Sequence, residues 1–401
     1  MDEQRVAYRL NMISRNLERY GLDGLAFLGR EIENPGDLRY QLMGAGLSAP
    51  HAILVLPGRR KPVVVANVHD AGNVPKELYR VSEYGYTDDP SGAIAQEIQK
   101  SGVTKLGIAT SRDTAALDVT NYGMLLNVRR ALRGSDVRIS SSAAENVLYS
   151  AYAIRTPEEI EGLRKAVRMT DDIFDAAECE VLRAGVSERE ISTFFHEQMD
   201  RLGVQSSWAR NSCPIVAVRN NSVRGHHEPG DDVITPGYVL FTDFGVKDPD
   251  TNMPGDLQRT YFLADPNNDR ETERVRDMFI LQARARDAAI DKMVPGMRGL
   301  DVDAAGRDII TGAGYEEFNH ALGHTLSAEG VHGIGPIAAS PMPKYGDKPH
   351  RRLEAGMVLT SEPSVIDPEG RQGRIATEFD VLVTRGAPEV LNKRQDDLFL
   401  L

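Results

Sequence analysis

The chain has 401 residues, 41% of them hydrophobic and 26% charged, with a formal charge of −12 at pH 7. That length is long for one core and predicts two domains. The acidic balance argues against nucleic acid, whose phosphates need clustered Lys and Arg, and against an anionic membrane surface.

The opening "MDEQRVAYRLNM" is acidic and has no apolar h-region, so no signal peptide is expected. No apolar run approaches the roughly 20 residues of a membrane helix. Cys179 and Cys213 are too few for a disulfide framework or a zinc knuckle. The expected location is the cytoplasm.

Val6, Leu10, Ile13 and Leu17 recur at helical spacing and predict a helix over 4–20. Short aliphatic runs follow: "GLAFLG" from Gly24, "AILVL" from Ala52, "PVVVA" from Pro62 and "KLGIA" from Lys105. Separated by helical or turn-rich segments, they predict an α/β domain over residues 1–154. His51, His69 and Asp70 are isolated polar residues there and form no catalytic cluster.

A boundary falls near Arg155, and a second domain is expected over 155–401. Thr156, Pro157 and Glu159 supply an N-cap, a first-turn proline and a capping box. Ser187 and Glu190 start another helix in the same way, and His196 lies within it as a structural residue. The domain then echoes itself. "PGYVLFTDFG" around Gly237 resembles "AGMVLTSEPS" around Gly356, with Asp243 and Glu362 at the same offset. Asp256 precedes "RTYFLA" as Glu378 precedes "VLVT", and a helix near Asp301 echoes the one at Ser187. Two related halves would bring four carboxylates to one cleft.

Carboxylates in strand-like apolar runs are costly to bury without a compensating positive charge. Salt bridges are the plain alternative: Arg259 for Asp256, and Arg374 for Glu378. The segment "NHALGHTLSAEGVHGIGP", residues 319–336, adds three histidines, and His226 and His227 open another stretch. Four acids and one histidine suit hard or borderline divalent ions such as Mn²⁺, Co²⁺, Fe²⁺ or Zn²⁺. Two ions about 3.5–4 Å apart would balance the charge and lower the pKa of a bridging water towards neutrality. An acid of the set can take that water's proton.

These segments resemble the pita-bread metallopeptidases, the family of methionine aminopeptidase, aminopeptidase P, prolidase and creatinase. "HHEPGD", "TDFG", "GDLQRT", "HALGH", "LTSEP" and "ATEFDVLVT" carry the resemblance, from about Arg155 to the end. It implies a creatinase-like α/β N-terminal domain followed by an α+β pita-bread catalytic domain with an internal pseudo-twofold repeat. By the same resemblance Asp243, Asp256, His324, Glu362 and Glu378 bind two divalent metals. Glu362 doubles as proton acceptor, and His226 and His332 contact substrate and steady the tetrahedral intermediate. His320 supports them by packing or hydrogen bonding. The implied activity is cleavage beside proline in a di- or oligopeptide, of the Xaa-Pro dipeptidase or aminopeptidase P type, by a homodimer.

The sequence departs from the family in places. Where members usually read GHGIGLxVHE, Thr325 replaces a glycine, one residue is inserted before His332, and Gly333 replaces an acid. Gln258 stands where threonine is common. Arg374 lies two residues too far from Glu378 to match the arginine that often binds a proline-side carboxylate. One alternative on the same fold is therefore hydrolysis or elimination on a small non-peptide metabolite, as in ectoine hydrolases and sulfonium-compound lyases. An inactive binding module is the alternative of another class. Trp208 and the loop "MPKYGDKPHRR", residues 342–352, are expected at a cleft edge or in ordinary packing and surface roles.

Overall fold

Two runs of strand and helix, each with its own core, make up the protein. A computed structural model describes residues 3–34, 37–58, 61–224, 227–328 and 330–401. The chain divides into Met1–Ala153 and Ile154–Leu401.

In the first unit the aliphatic runs become a six-stranded sheet. Its strands are β1 (Gly24–Gly29), β2 (His51–Val55), β3 (Val63–Asn67), β4 (Arg80–Tyr84), β5 (Lys105–Ile108) and β6 (Arg138–Ser140), in the order β4-β3-β2-β1-β5-β6. Every residue of β1, β2 and β3 is buried, which is why these strands read as unbroken apolar runs rather than alternating ones. The pairs β1–β2 and β2–β3 are antiparallel, and the other three are parallel. Helices α1 (Glu3–Arg19), α2 (Leu38–Met43), α3 (Pro90–Lys100), α4 (Tyr122–Ala131) and α5 (Ser141–Tyr152) accompany it. Val6, Leu10, Ile13 and Leu17 are the buried stripe of α1. Asp70 accepts the backbone N–H groups of Ser48 and Ala49, a turn-fixing role. His51 is buried, with Nδ1 against the Ala49 carbonyl.

The second unit opens with α6 (Pro157–Glu180) and α7 (Glu188–Leu202), each started by a complete capping box. The short strands β7 (Gln205–Ser206) and β10 (Val246–Lys247) pair with each other. β8 (Ile215–Val218), β9 (Tyr238–Phe244) and β11 (Leu257–Leu263) form an antiparallel sheet, which β17 (Phe399–Leu400) extends. Helices α8 (Asp269–Asp291) and α9 (Gly299–Gly312) follow. β12 (Val358–Ser361), β15 (Phe379–Leu382) and β16 (Glu389–Val390) make a second antiparallel sheet, and β13 (Ser364–Ile366) pairs with β14 (Arg374–Ala376). Two helices leading into antiparallel strands thus occur twice. The helix expected near Asp301 begins at Gly299, and the Asp301 carboxylate accepts the Arg298 N–H at its start.

Strand alternation sets the positions of the site residues. Successive side chains of β9 point to opposite faces. Phe244 enters the core behind the sheet, edge-on to Phe174 of α6 and Phe195 of α7 at 5.8 and 4.7 Å. Its neighbour Asp243 therefore points the other way. Just beyond, the chain runs so close to itself that a Cβ on Gly245 would lie 1.8 Å from the Gly255 carbonyl oxygen. This contact fixes the spacing between Asp243 and Asp256. Gly245→Ala should therefore lower stability by about 1–3 kcal/mol, the usual cost of overpacking. The urea midpoint reads this out, and a midpoint equal to the parent's would show that the crossing can relax.

Candidate metal centre

The acids singled out in the sequence meet at the strand ends of both halves. Asp243 on β9 pairs in register with Gln258 on β11. Asp256 lies two residues before Gln258, so both face the same side. A bridge between Gln258 and Glu378 joins this sheet to the second half, with the Glu378 N–H donating to the Gln258 carbonyl at 3.2 Å. His324 is held against β12: its N–H donates to Thr360 Oγ1 at 3.1 Å, and its carbonyl accepts the Thr360 N–H at 2.8 Å. Glu362 follows β12 directly, and its N–H donates to the Leu322 carbonyl at 2.7 Å.

His324 Nε2 lies 3.6 Å from Asp256 Oδ2 and 3.5 Å from Glu362 Oε1. Asp256, His324 and Glu378 each offer a ligand atom within 4.8 Å of the others. All five residues line a cavity of about 650 Å³, together with His320, His332, Trp208, Phe241, Tyr345 and Arg374. The His324 and His332 rings meet edge-on, with centroids 4.5 Å apart. His332 is exposed at the cavity edge. His320 is clamped between the Ala321 carbonyl and Ser364 Oγ at 2.7 and 2.8 Å, and burial lowers its pKa to about 3. It is therefore a neutral supporting residue. His226 lies outside the described residues.

The electrostatics are severe. Burial pushes Asp243 up to about 7. Burial and then the charge of Asp243 push Glu362 up to about 8. Asp256 and Glu378 are raised well above the ordinary range, by burial first and by their acidic neighbours next. Asp380 joins them. It is fully buried, accepts the Asp256 N–H at 3.2 Å, and is raised by burial. The sequence signal for Asp380 was its place two residues beyond Glu378, one strand period along the same face.

The two salt bridges considered from the sequence do not form among the described residues. Arg259 turns to the opposite face of β11 and pairs with Asp171 (2.8 Å), Asp175 (3.2 Å) and Glu178 (2.6 Å) of α6. It therefore does not neutralise Asp256. Arg374 makes no ion pair among the described residues, although its charge counters Glu362, Asp243 and Glu378 at longer range. Its offset from Glu378 looked wrong for a site residue. Four residues are two strand periods, however, and Arg374 lines the same cavity. Tyr345, from the loop 342–352 that follows the histidine segment, also lines it, in the cleft-edge place that was one of the two expected for that loop.

The donor set fits divalent cations. Both carboxylate oxygens of Glu378 and one of Asp243 are buried and accept no hydrogen bond among the described residues. Buried carboxylates without donors are expensive, and ions within their reach would remove that cost.

Residues 161–385 match the model of metallopeptidase family M24. An uncharacterized peptidase of Staphylococcus epidermidis is 25% identical over 355 residues, which cover 86% of this chain and 90% of that protein. A Xaa-Pro dipeptidase of Pyrococcus furiosus is 28% identical over 293 residues, covering 73% of this chain and 77% of that one. The crystal structure of dipeptidase PepE from Mycobacterium ulcerans matches at a TM-score of 0.75 and 25% identity, over 100% of this chain and 99% of that one. Matched over more than half of its length by the family model, and built as an α/β domain ahead of a pita-bread domain, the chain belongs to metallopeptidase family M24.

Proposed function

We propose that the chain is a Xaa-Pro dipeptidase, hydrolysing the peptide bond ahead of proline. The observation that carries this reading is the convergence of Asp243, Asp256, His324, Glu362 and Glu378 in one cavity that also holds the guanidinium of Arg374, which makes no ion pair among the described residues. A dipeptide brings a carboxylate close to the scissile bond, and Arg374 is its natural partner. The names of the related Xaa-Pro dipeptidases support the same substrate class.

In this reading the five donors hold two divalent ions, which when bound supply Lewis acidity and ease ionisation of the attacking water. Glu362 is the acid best placed to move protons. Its side chain is 14% exposed and faces the cavity, whereas Glu378 is sealed. Glu362 takes the proton as the water oxygen bonds to the carbonyl carbon. It returns that proton to the proline nitrogen as the C–N bond breaks. His332, at the cavity edge beside His324, donates to the carbonyl oxygen as charge develops there. The resemblance gives His226 a parallel role. Trp208, Phe241 and Tyr345 line apolar wall for the proline ring.

Three measurements test this. Glu362→Gln should cut kcat for Xaa-Pro dipeptides by roughly 10²–10⁴ while the circular dichroism spectrum is kept; undiminished turnover would remove Glu362 from the proton path. Arg374→Met should raise KM for a free dipeptide and leave KM for its C-terminal amide nearly unchanged. An equal rise for both would deny Arg374 the carboxylate.

The third measurement concerns pH. In the metal-free protein Asp243 and Glu362 keep protons to about 7 and 8, against ordinary values of 3.8 and 4.5. The unfolded chain sheds those protons first, so the metal-free fold loses stability as pH climbs from about 4 to about 8. Divalent ions need the ionised ligands, so their stabilisation grows across the same window. The Tm gap between Mn²⁺-loaded and EDTA-treated protein should widen from pH 5 to pH 8. A gap independent of pH would mean the ions bind elsewhere.

A further inference from the structure

We propose that Gln282 of α8 is a positioning residue that splints a break in the backbone ladder between Glu362 and Glu378, and so sets how the two glutamates face each other. The inference rests on reading these glutamates as metal ligands, but it does not depend on which substrate is cleaved.

The break shows in the strand register. β12 pairs with β15 as far as Ser361 and Phe379, and β13 pairs with β14 from Ser364 and Ala376 onward. The register is the same on both sides, so one antiparallel ladder is interrupted at Glu362-Pro363 and Thr377-Glu378. Carried through the gap, it sets Glu362 opposite Glu378 and Pro363 opposite Thr377. The ladder's ends show which pairs exchange backbone bonds. Val383 N–H donates to the Met357 carbonyl at 2.9 Å, and Asp367 N–H to the Gly373 carbonyl at 2.8 Å. Counting by twos from either end, Pro363 and Thr377 fall on a bonded pair and the glutamates on an unbonded one. Pro363 has no N–H to give. The glutamates turn theirs outward, Glu362 to the Leu322 carbonyl and Glu378 to that of Gln258. Like charges directly opposite on neighbouring strands repel. The ladder thus lacks a bond just where two acids push it apart.

Gln282 answers this from α8. It is fully buried, and its Nε2 donates to the Pro363 carbonyl at 2.8 Å and to the Thr377 carbonyl at 3.1 Å, next to each glutamate in turn. One carboxamide thereby spans the gap and stands in for the N–H that Pro363 lacks. Its orientation is fixed from one turn further along the helix. Arg286 Nη1 donates to Thr377 Oγ1 at 2.7 Å. A guanidinium can only donate, so the Thr377 hydroxyl gives its own hydrogen to Gln282 Oε1, at 3.0 Å. That leaves the amide nitrogen for the two carbonyls. Arg286 Cζ also lies 3.8 Å from the centre of the Phe379 ring, just beyond Glu378. The Arg286 carbonyl accepts Ser361 Oγ at 3.3 Å, just ahead of Glu362. Helix α8 therefore holds the residues on both sides of both glutamates.

A rescue experiment tests this, because Pro363→Ala returns a backbone N–H opposite the Thr377 carbonyl. The parent, Gln282→Met, Pro363→Ala and the double variant, all full chains stripped with EDTA, are titrated calorimetrically with Mn²⁺, and kcat and KM are measured on a Xaa-Pro dipeptide. Gln282→Met should bind Mn²⁺ about 10- to 100-fold more weakly and lose kcat by a similar factor, with KM nearly unchanged. In the Pro363→Ala background the same substitution should cost markedly less, since the restored N–H takes over the Thr377 carbonyl. Gln282→Asn, whose shorter arm reaches one carbonyl at most, should fall between, and it replaces Gln282→Met should that variant not fold. A merely structural role would lower the Tm of metal-free and Mn²⁺-loaded protein alike and would be indifferent to Pro363→Ala. Undiminished Mn²⁺ affinity in the Gln282 variants, or a loss equal in both backgrounds, overturns the proposal. No Mn²⁺ binding by the parent overturns the metal reading and the proposal with it, whereas the expected losses of affinity without any Xaa-Pro cleavage overturn only the substrate reading.

Discussion

Negative charge confined to a dry space governs this molecule. Asp243, Asp256, Glu362, Glu378 and Asp380 share one buried region, and each is raised by desolvation before any neighbour is counted. A protein tolerates such a cluster only if protons or cations come with it. Much of the second unit can be understood as holding the cluster together against its own repulsion. Strands from both halves deliver the acids, the bridge from Gln258 to Glu378 ties the two sheets at the centre, and the Gly245–Gly255 crossing leaves no slack between the first two aspartates. The aromatic contacts of Phe244 with α6 and α7 brace the strand from behind.

The positive groups near the cluster are distributed so that none cancels it. Arg259, the nearest cation in sequence to Asp256, is spent on three acids of α6 across the sheet. Arg374 stays in the cavity but forms no contact ion pair among the described residues. Had either arginine closed on Asp256 or Glu378, the site would be a salt-bridge network with no capacity for metal. The pairing of Arg259 with α6 is thus a condition for the centre as well as a clamp on the helix.

The parts legible in the sequence were those where a residue contradicted its surroundings. An acid after "VLFT" or "MVLTS" is anomalous in an apolar strand, and the anomaly repeated at matching offsets. Capping boxes at Thr156 and Ser187 announced their helices because capping is local chemistry. What stayed hidden depended on facing and on distance along the chain. Neighbouring residues Gln258 and Arg259 differ in role only because strand parity sends one to the cavity and the other to α6. Arg374 looked displaced by two residues, yet a strand restores the same face every second position, so the offset changed its reach and not its side. The loop of Tyr345 was expected at a cleft edge or on the surface, and only the path of the backbone decides between the two.

The three positions at which the histidine segment departs from the family resemblance lie in one closely packed stretch. Ser327 and Gly330 form an antiparallel bridge within it. Beside it the Gly333 N–H donates to the Thr325 carbonyl at 2.6 Å. A Cβ on Gly333 would then lie 2.6 Å from Ser327 Oγ and 2.7 Å from its backbone nitrogen. A larger side chain therefore has no room at this position without a shift of Ser327. The Thr325 hydroxyl adds a contact, donating to the Gly333 carbonyl at 3.3 Å. Within this packing His324 is pinned to Thr360, and His332 reaches the cavity edge beside it. His324 and His332 thus take their places from the backbone contacts of this one segment, on the same cavity as the guanidinium of Arg374.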